Sequence, residues 1–251
     1  MPTIDEQVSV IVVTALPIEQ AAVKQILDHV EAELDGFIFG TVEFRGVALH
    51  RLAVGVLPQA GNSAAAAEAS RWVARFPNAR YIVMVGIAGG VPAPDDPERH
   101  VRLGDVVVPD AVGVREHDRG KVKEGVFEPM PGGGATPSAQ FVSICRSLIG
   151  LSLIGEYAWK EVLDSRFSAD VWSRPDESTD LLTPIGDPPA AVLHPDPDMY
   201  RTPGVPRLSA GLIASGNVVV KDADRRAVLA SIGAVAVEME GAGLATSPDL
   251  S

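Results

Sequence analysis

The chain has 251 residues, of which 46% are hydrophobic, enough to bury a sizeable core in one large domain or two smaller ones. Its 33 acidic residues against 21 basic ones give a formal net charge of −12, and no basic stripe is present to neutralise phosphates, which argues against nucleic acid as a partner. One cysteine, Cys145, excludes an internal disulfide, and no apolar run has membrane-spanning length or the basic flank of a signal peptide, so the expectation is a cytoplasmic protein acting on small molecules.

In chain order, Val8 to Thr14 is a continuous β-branched run, the pattern of a strand buried on both faces, and Pro17 then opens an amphipathic helix from Ile18 to about Glu33. Phe37 to Phe44 and Val47 to Val54 alternate around Arg45-Gly46 and predict a hairpin. The alanine-rich run Asn62 to Phe76 predicts a helix packed closely on a sheet, followed by a buried strand at Tyr81 to Val85 and a further strand, entered by a tight turn, at Leu103 to Pro109. From about Val114 to Arg207 the chain is rich in Pro, Gly and Asp and reads as an irregular insertion with two helical patches, Ser138 to Leu148 and Glu156 to Phe167. Cys145 falls on the buried face of the first patch. Regular structure resumes with a strand at Leu208 to Ile213, a helix from Asp222 to Ser231, a strand from Ala234 and a helix beginning near Gly241.

The chemistry concentrates where strands end. Glu238 and Glu240 are two apart, so an extended Val235 to Glu240 points both carboxylates to one face, and Gly241 then frees the chain to turn. Loops at Thr14 to Glu19, Gly86 to Gly90 and Ser215 to Val220 follow buried strands and converge if those strands are neighbours in one sheet. Val-Gly-Ile-Ala-Gly-Gly90 lacks the spacing of the dinucleotide fingerprint, and Gly61-Asn-Ser63 lacks the lysine of a phosphate-binding loop, so neither motif predicts a nucleotide cofactor. The histidines are scattered and predict no metal site. Asp105, in Gly-Asp-Val-Val, reads as a turn or strand-entry acid.

Val13-Thr-Ala-Leu-Pro-Ile-Glu19, Gly86-Ile-Ala-Gly-Gly90, Leu103-Gly-Asp-Val-Val-Val108, Ser215-Gly-Asn217 and Val237-Glu-Met-Glu240 stand in the order of a known family. On these motifs the chain resembles the nucleoside phosphorylase and nucleosidase superfamily, most of all the methylthioadenosine/S-adenosylhomocysteine nucleosidases and the nucleosidase-like domains of immune-type multidomain proteins. The resemblance implies an α/β fold, a three-layer α/β/α sandwich with a mixed central sheet, formed as a single domain over residues 1–251. It also implies hydrolysis of the N-glycosidic bond of a purine nucleoside or nucleotide, without a cofactor or metal, by a protein that is commonly a homodimer and in some relatives is fused to signalling domains.

Carried over by residue, the resemblance assigns Glu19 to positioning or deprotonating the attacking water and Glu240 to gripping the ribose hydroxyls. Met239 packs under the sugar beside Glu238, while Ile87, Ala88 and Gly89 form the glycine loop and Val219 and Val220 line the purine pocket. Ile87 stands where a serine is frequent, and Val219 where a stacking aromatic is common. Phosphorylases of this superfamily place arginines in the first loop and just before the glycine loop; Thr14 to Glu19 and Tyr81 to Val85 have none, which favours water as the acceptor. The family's leaving-group aspartate lies on a strand after Val-Glu-Met-Glu, which the sequence ending at Ser251 is expected to lack together with the closing helix. Asp222 is a substitute to consider, and Lys221, Arg225 and Arg226 are candidates for a nucleotide's phosphates. The rival expectations are a nucleoside-sensing or interaction module without turnover, and a phosphorylase.

Overall fold

The computed structural model describes residues 2–124, 126–129, 134–167, 172, 176–180, 194, 201–202, 204–220 and 223–244. Lys221 and Asp222 lie outside the described residues.

The first half alternates elements around one sheet. A short helix α1 (Ile4–Gln7) precedes β1 (Val10–Thr14) and α2 (Pro17–Ile26), then β2 (His29–Leu34), β3 (Phe37–Phe44), β4 (Val47–Val56), α3 (Asn62–Arg75) and β5 (Tyr81–Met84). The strand order is β2-β3-β4-β1-β5, with β2, β3 and β4 antiparallel and β4, β1 and β5 parallel. Because side chains alternate along β1, Ile11 and Val13 pack under α3 with Phe37, Phe39, Trp72 and Phe76, while Val12 packs under α2 with Val23, Leu27 and Ile38. These layers on both faces explain why β1 reads as an unbroken apolar run.

The second half forms a second five-stranded sheet, β10-β7-β11-β12-β6. Its strands are β6 (Gly89–Gly90), β7 (Val106–Glu116), β10 (Gly134–Ala135), β11 (Leu208–Ser215) and β12 (Ala234–Glu238), and a separate hairpin pairs β8 (Gly120–Lys123) with β9 (Val126–Pro129). Strands β7, β11 and β12 run parallel, whereas β6 and β10 pair antiparallel at the edges. Among the described residues the remaining helices are α4 (Ala139–Ser152), α5 (Lys160–Arg166), α6 (Ala223–Ser231) and α7 (Gly241–Leu244), with a 3-10 turn at Glu177–Thr179. The architecture is therefore α/β with mixed sheets and helices, as expected. Residues 85–88, between β5 and β6, carry the chain from the first sheet to the second.

Three elements differ from the sequence reading. The first helix stops at Ile26, and His29–Leu34 is a strand instead of two more helical turns. Leu27 turns extended, the Asp28 carboxylate accepts the Glu43 N–H at 2.6 Å, and Asp35-Gly36 forms a tight hairpin with φ of 54° and 81° that returns the chain to β3. Strand β7 continues seven residues past Pro109 to Glu116, into the predicted insertion. It does so through a bulge: Asp110 to Gly113 lie opposite Leu212 alone, and the Asp110 carboxylate accepts the Val112 and Gly113 N–H groups at 2.8 and 3.2 Å. Finally, β12 ends at Glu238, so Met239 and Glu240 belong to the turn that follows it.

Other readings agree with the structure. Arg45-Gly46 is the predicted hairpin turn, with both residues at positive φ. Cys145 is buried on α4, and burial pushes its thiol above the ordinary value. Asp105 is structural: its carboxylate pairs with the Arg201 guanidinium and accepts the N–H groups of Arg102 and Arg207 at 2.8 and 3.2 Å.

Candidate functional site

Ligand sites in α/β folds form where parallel strands deliver their carboxyl ends to one edge. Here β1 and β5 deliver two loops from the first sheet and β11 and β12 deliver two from the second. The loops meet although their strands are in different sheets, because β6 follows the glycine loop directly and pairs with the end of β12 at Gly89 and Val237.

Glu19 sits in the first turn of α2, 6% exposed. One carboxylate oxygen accepts the N–H groups of Ala15 and Leu16, both at 2.8 Å, and the other accepts the N–H of Ile87 at 2.7 Å. The carboxylate thereby ties the first loop to the glycine loop. A side chain at Gly86 would press on it, since a Cβ there would lie 3.1 Å from the Glu19 Oε1. The expectation of an acid at the mouth of a buried strand thus places Glu19 at the junction of two loops rather than on a solvated helix end.

Glu240 is equally buried, at 6% exposure, and its Oε1 accepts the Gly61 N–H at 3.0 Å. Burial pushes its pKa above the ordinary carboxylate value, the Gly61 N–H opposes that, and the nearby charges of Glu238 and Glu19 raise it further. Glu238 does something else. Its Oε2 accepts the N–H groups of Glu240 and Gly241, at 2.8 and 2.7 Å, and so caps the turn into α7. The sequence reading that pointed both carboxylates from one strand face gives way to this arrangement, in which Glu238 shapes the turn and the buried Glu240 accepts the Gly61 N–H.

A layer of polar contacts that the sequence reading passed over holds the loops together. Asn62, the first residue of α3, donates its backbone N–H to the Asn217 Oδ1 at 3.0 Å. Its side-chain Oδ1 accepts from the Ser215 hydroxyl at 3.0 Å and from the Gly243 N–H at 2.8 Å. Ser215 in turn accepts the Ala242 N–H, and the Asn217 N–H goes to Asp118. In the sequence, Gly61-Asn62 fails as a phosphate loop and marks the start of the alanine-rich helix. The overlooked signal is a Gly-Asn pair at the start of an alanine-rich helix, where an asparagine side chain is free to serve a neighbouring loop.

The remaining expected residues are distributed around the opening. Ile87 is 70% and Val219 60% exposed, Ala88 and Gly89 are also exposed, and Met239 is half-buried. Val220 packs against the core under β11 with Leu212 and Leu229. Leu16, Ile18 and Val218 add further exposed apolar side chains on the same loops. Arg225 is occupied at the far side of β11: it donates to the His117 carbonyl at 3.0 Å and faces the His117 Nδ1 at 3.2 Å. Burial, with the Arg225 charge adding to it, lowers the His117 pKa below the ordinary imidazole value.

Comparisons with known proteins bear on the fold and the family. A nucleotide-binding leucine-rich repeat (NLR)-like protein of the fungus Hyaloscypha variabilis is 30% identical over 257 residues, which cover 95% of this chain and 25% of that protein. The chain thus spans about a quarter of the length of this relative. Among solved structures, a 5′-methylthioadenosine/S-adenosylhomocysteine nucleosidase from Colwellia psychrerythraea, in complex with adenine, superposes with a TM-score of 0.56 at 20% identity, covering 96% of this chain and 76% of that one. The futalosine hydrolase of Helicobacter pylori gives a TM-score of 0.53 at 17% identity, covering 95% and 77% of the two chains. At such identities the likeness is one of fold. The family itself follows from the sequence, because the model of the phosphorylase superfamily matches residues 9–247, from the start of the first buried strand through the Glu238 turn, and the chain belongs to that superfamily.

Proposed function

We propose that the chain binds a purine nucleoside in the cleft between Glu19 and Glu240 and hydrolyses its N-glycosidic bond. The observation that carries this reading is the pair of buried carboxylates, brought from the two sheets to one opening and held by backbone N–H groups. Breaking the bond between the sugar and the base develops positive charge on the ribose ring, and fixed negative charge in a water-poor cleft stabilises that state more than the neutral substrate.

Glu240 lies against the ribose and Glu19 orients the water. As the water oxygen bonds to the anomeric carbon, its proton passes to Glu19 and the electrons of the breaking bond go to the base nitrogen. The resemblance assigns protonation of the departing base to an aspartate beyond the Val-Glu-Met-Glu segment, so the described residues account for sugar and water rather than for the leaving group. Water is the acceptor in this reading because the first loop and the strand before the glycine loop bring no arginine to clamp a phosphate dianion. The same composition favours an uncharged nucleoside over a nucleotide. Leu16, Ile18, Ile87, Val218 and Val219 offer apolar surface around the opening, and Arg225 is already engaged with His117.

The NLR-like relative supports a second reading, in which the same cleft senses a nucleoside for a larger protein without turning it over. Incubating the chain with adenosine, 5′-methylthioadenosine and AMP, with and without inorganic phosphate, separates the possibilities. The expected result is free adenine and a free sugar from the two nucleosides at a phosphate-independent rate. A rate that saturates with phosphate would make the chain a phosphorylase. Saturable nucleoside binding without base release would favour the sensor, and neither binding nor release would overturn both readings.

A further inference from the structure

We propose a second ligand site at the opposite end of the first sheet, in a groove of about 360 Å³ at the amino ends of β1 and β5, which binds the phosphate group of a small phosphate ester. The groove is outside the carboxylate cleft and does not depend on its chemistry.

Its charge is the first reason. In a chain of net charge −12, none of the residues lining this groove is acidic, while Arg80 and His50 both line it. Elsewhere among the described residues arginines are matched to carboxylates, such as Arg51 to Glu31, Arg75 to Asp5, Arg102 to Asp180 and Arg166 to Asp28. Among the described residues the Arg80 guanidinium, the His50 Nε2 and the Tyr81 hydroxyl have no hydrogen-bond or ion-pair partner. Three unengaged polar groups of this kind suit an anion with several terminal oxygens: the planar guanidinium takes two of them side by side, the phenol donates to another, and the imidazole donates when its Nε2 carries a proton.

Rigidity is the second reason. Ser9 fixes both walls through the backbone. Its N–H donates to the Arg51 carbonyl at 2.8 Å, its hydroxyl accepts the Arg51 N–H at 3.1 Å, and its carbonyl accepts the Arg80 N–H at 2.8 Å. The neighbours of those anchored residues are the two rings of the groove. His50 and Tyr81 meet edge to face, with centroids 6.2 Å apart and planes at 89°, and the Ser9 hydroxyl lies 3.4 Å from the His50 Nδ1. That contact directs the opposite ring nitrogen away from Ser9. Val8 forms a fully buried floor beneath them, and Asn78 is held at the rim by its bond to the Glu6 carbonyl at 2.7 Å. Donors on a fixed frame lose little freedom on binding, which is what separates a site from a chance surface of the same composition.

The experiment is a titration of the full chain with inorganic phosphate, ribose 5-phosphate and AMP, followed by amide NMR and calorimetry. Saturable shifts confined to the neighbourhood of Ser9, His50 and Arg80 are expected with the esters. Inorganic phosphate alone would identify the free anion as the ligand, and the esters binding more tightly would identify the esterified form. Arg80→Ala and His50→Gln, both at the surface, should keep the thermal unfolding curve and weaken binding by roughly tenfold or more each, as expected for removing a charge-assisted hydrogen bond. Glu240→Gln should leave this binding unchanged, which separates the groove from the cleft whatever the outcome there. Absence of a saturable response to any of the three ligands, or equal binding by the two groove variants and the parent chain, would overturn the proposal.

Discussion

Glu240 is buried at the end of β12 with the Gly61 N–H on one oxygen and two other carboxylates in its field. A carboxyl whose folded pKa lies above its unfolded value contributes stability that is fully present below the ordinary pKa near 4.5 and is lost as the pH rises through the folded value. Replacing it by a neutral amide of the same shape removes that loss. Glu240→Gln is therefore expected to be more stable than the parent chain in urea at about pH 7.5, with the difference vanishing at about pH 4. The same change removes the negative charge proposed to face the sugar, so hydrolysis or transition-state analogue binding should fall by roughly 10²–10³. For the parent chain, activity should rise with pH as Glu240 ionises. A variant that is less stable at neutral pH, or one that keeps near-normal turnover, would contradict this placement. The positions of Glu19 and Glu240 were legible in the sequence because each acid follows a buried strand in a recognisable motif. Asn62 was not, because its function depends on Ser215, Asn217 and Gly243, which are distant in the chain and reach it only through the fold.

At the scale of elements, legibility depended on whether one period ruled a segment. β1, α3 and β11 announced themselves because burial on both faces, or a long alanine face, leaves no second interpretation, whereas β5, expected to be buried, is an edge strand whose Tyr81 is 41% exposed. His29–Leu34 did not, since Val30, Ala32 and Leu34 alternate with polar residues in a stretch that also continues the helical pattern of α2. The deciding signal was Asp35-Gly36, a two-residue turn that only a hairpin uses, together with Asp28, which takes the Glu43 N–H. In the same way, the Asp110 to Gly113 bulge concealed how far β7 continues. The close approach of α7 to α3 is set by Gly243, where a Cβ would lie 2.1 Å from the Asn62 carbonyl oxygen, a backbone atom that cannot step aside. Gly243→Ala is expected to push the helices apart and to cost about 1–3 kcal/mol, the range for overpacking a tight contact. Because Asn62 follows the Gly61 that bonds Glu240, the variant should also lose nucleoside affinity. Chemical denaturation and a binding titration together check this; an alanine tolerated without loss in either would show that the contact has slack.

On the scale of the whole molecule, the cleft is a joint between two sheets. Glu19 and the N–H groups of Ala15, Leu16 and Ile87 belong to the loops of the first sheet, and Glu240 and Gly241 to the end of the second, with the Gly61 N–H crossing between them. Each sheet has its own apolar cluster, around Phe39 and Phe76 in the first and around Leu212 and Leu229 in the second. A ligand held by both carboxylates therefore acts as a further link between the two sheets, beside the contact of α7 with α3, and it stabilises the folded chain by mass action. The gain is about 2.7 kcal/mol when the free ligand is at a hundred times its dissociation constant. Hydrogen exchange is the measurement that separates this from binding on one side only. With a saturating nucleoside or transition-state analogue, exchange should slow together at Ala15, Leu16 and Ile87 on one side and at Gly61 on the other, because the amides bonded to the two acids open only when the cleft opens. Protection that grows in the first group alone would place the ligand on Glu19 without Glu240, and a catalytic cleft built from the two acids together would then be the wrong reading of this joint.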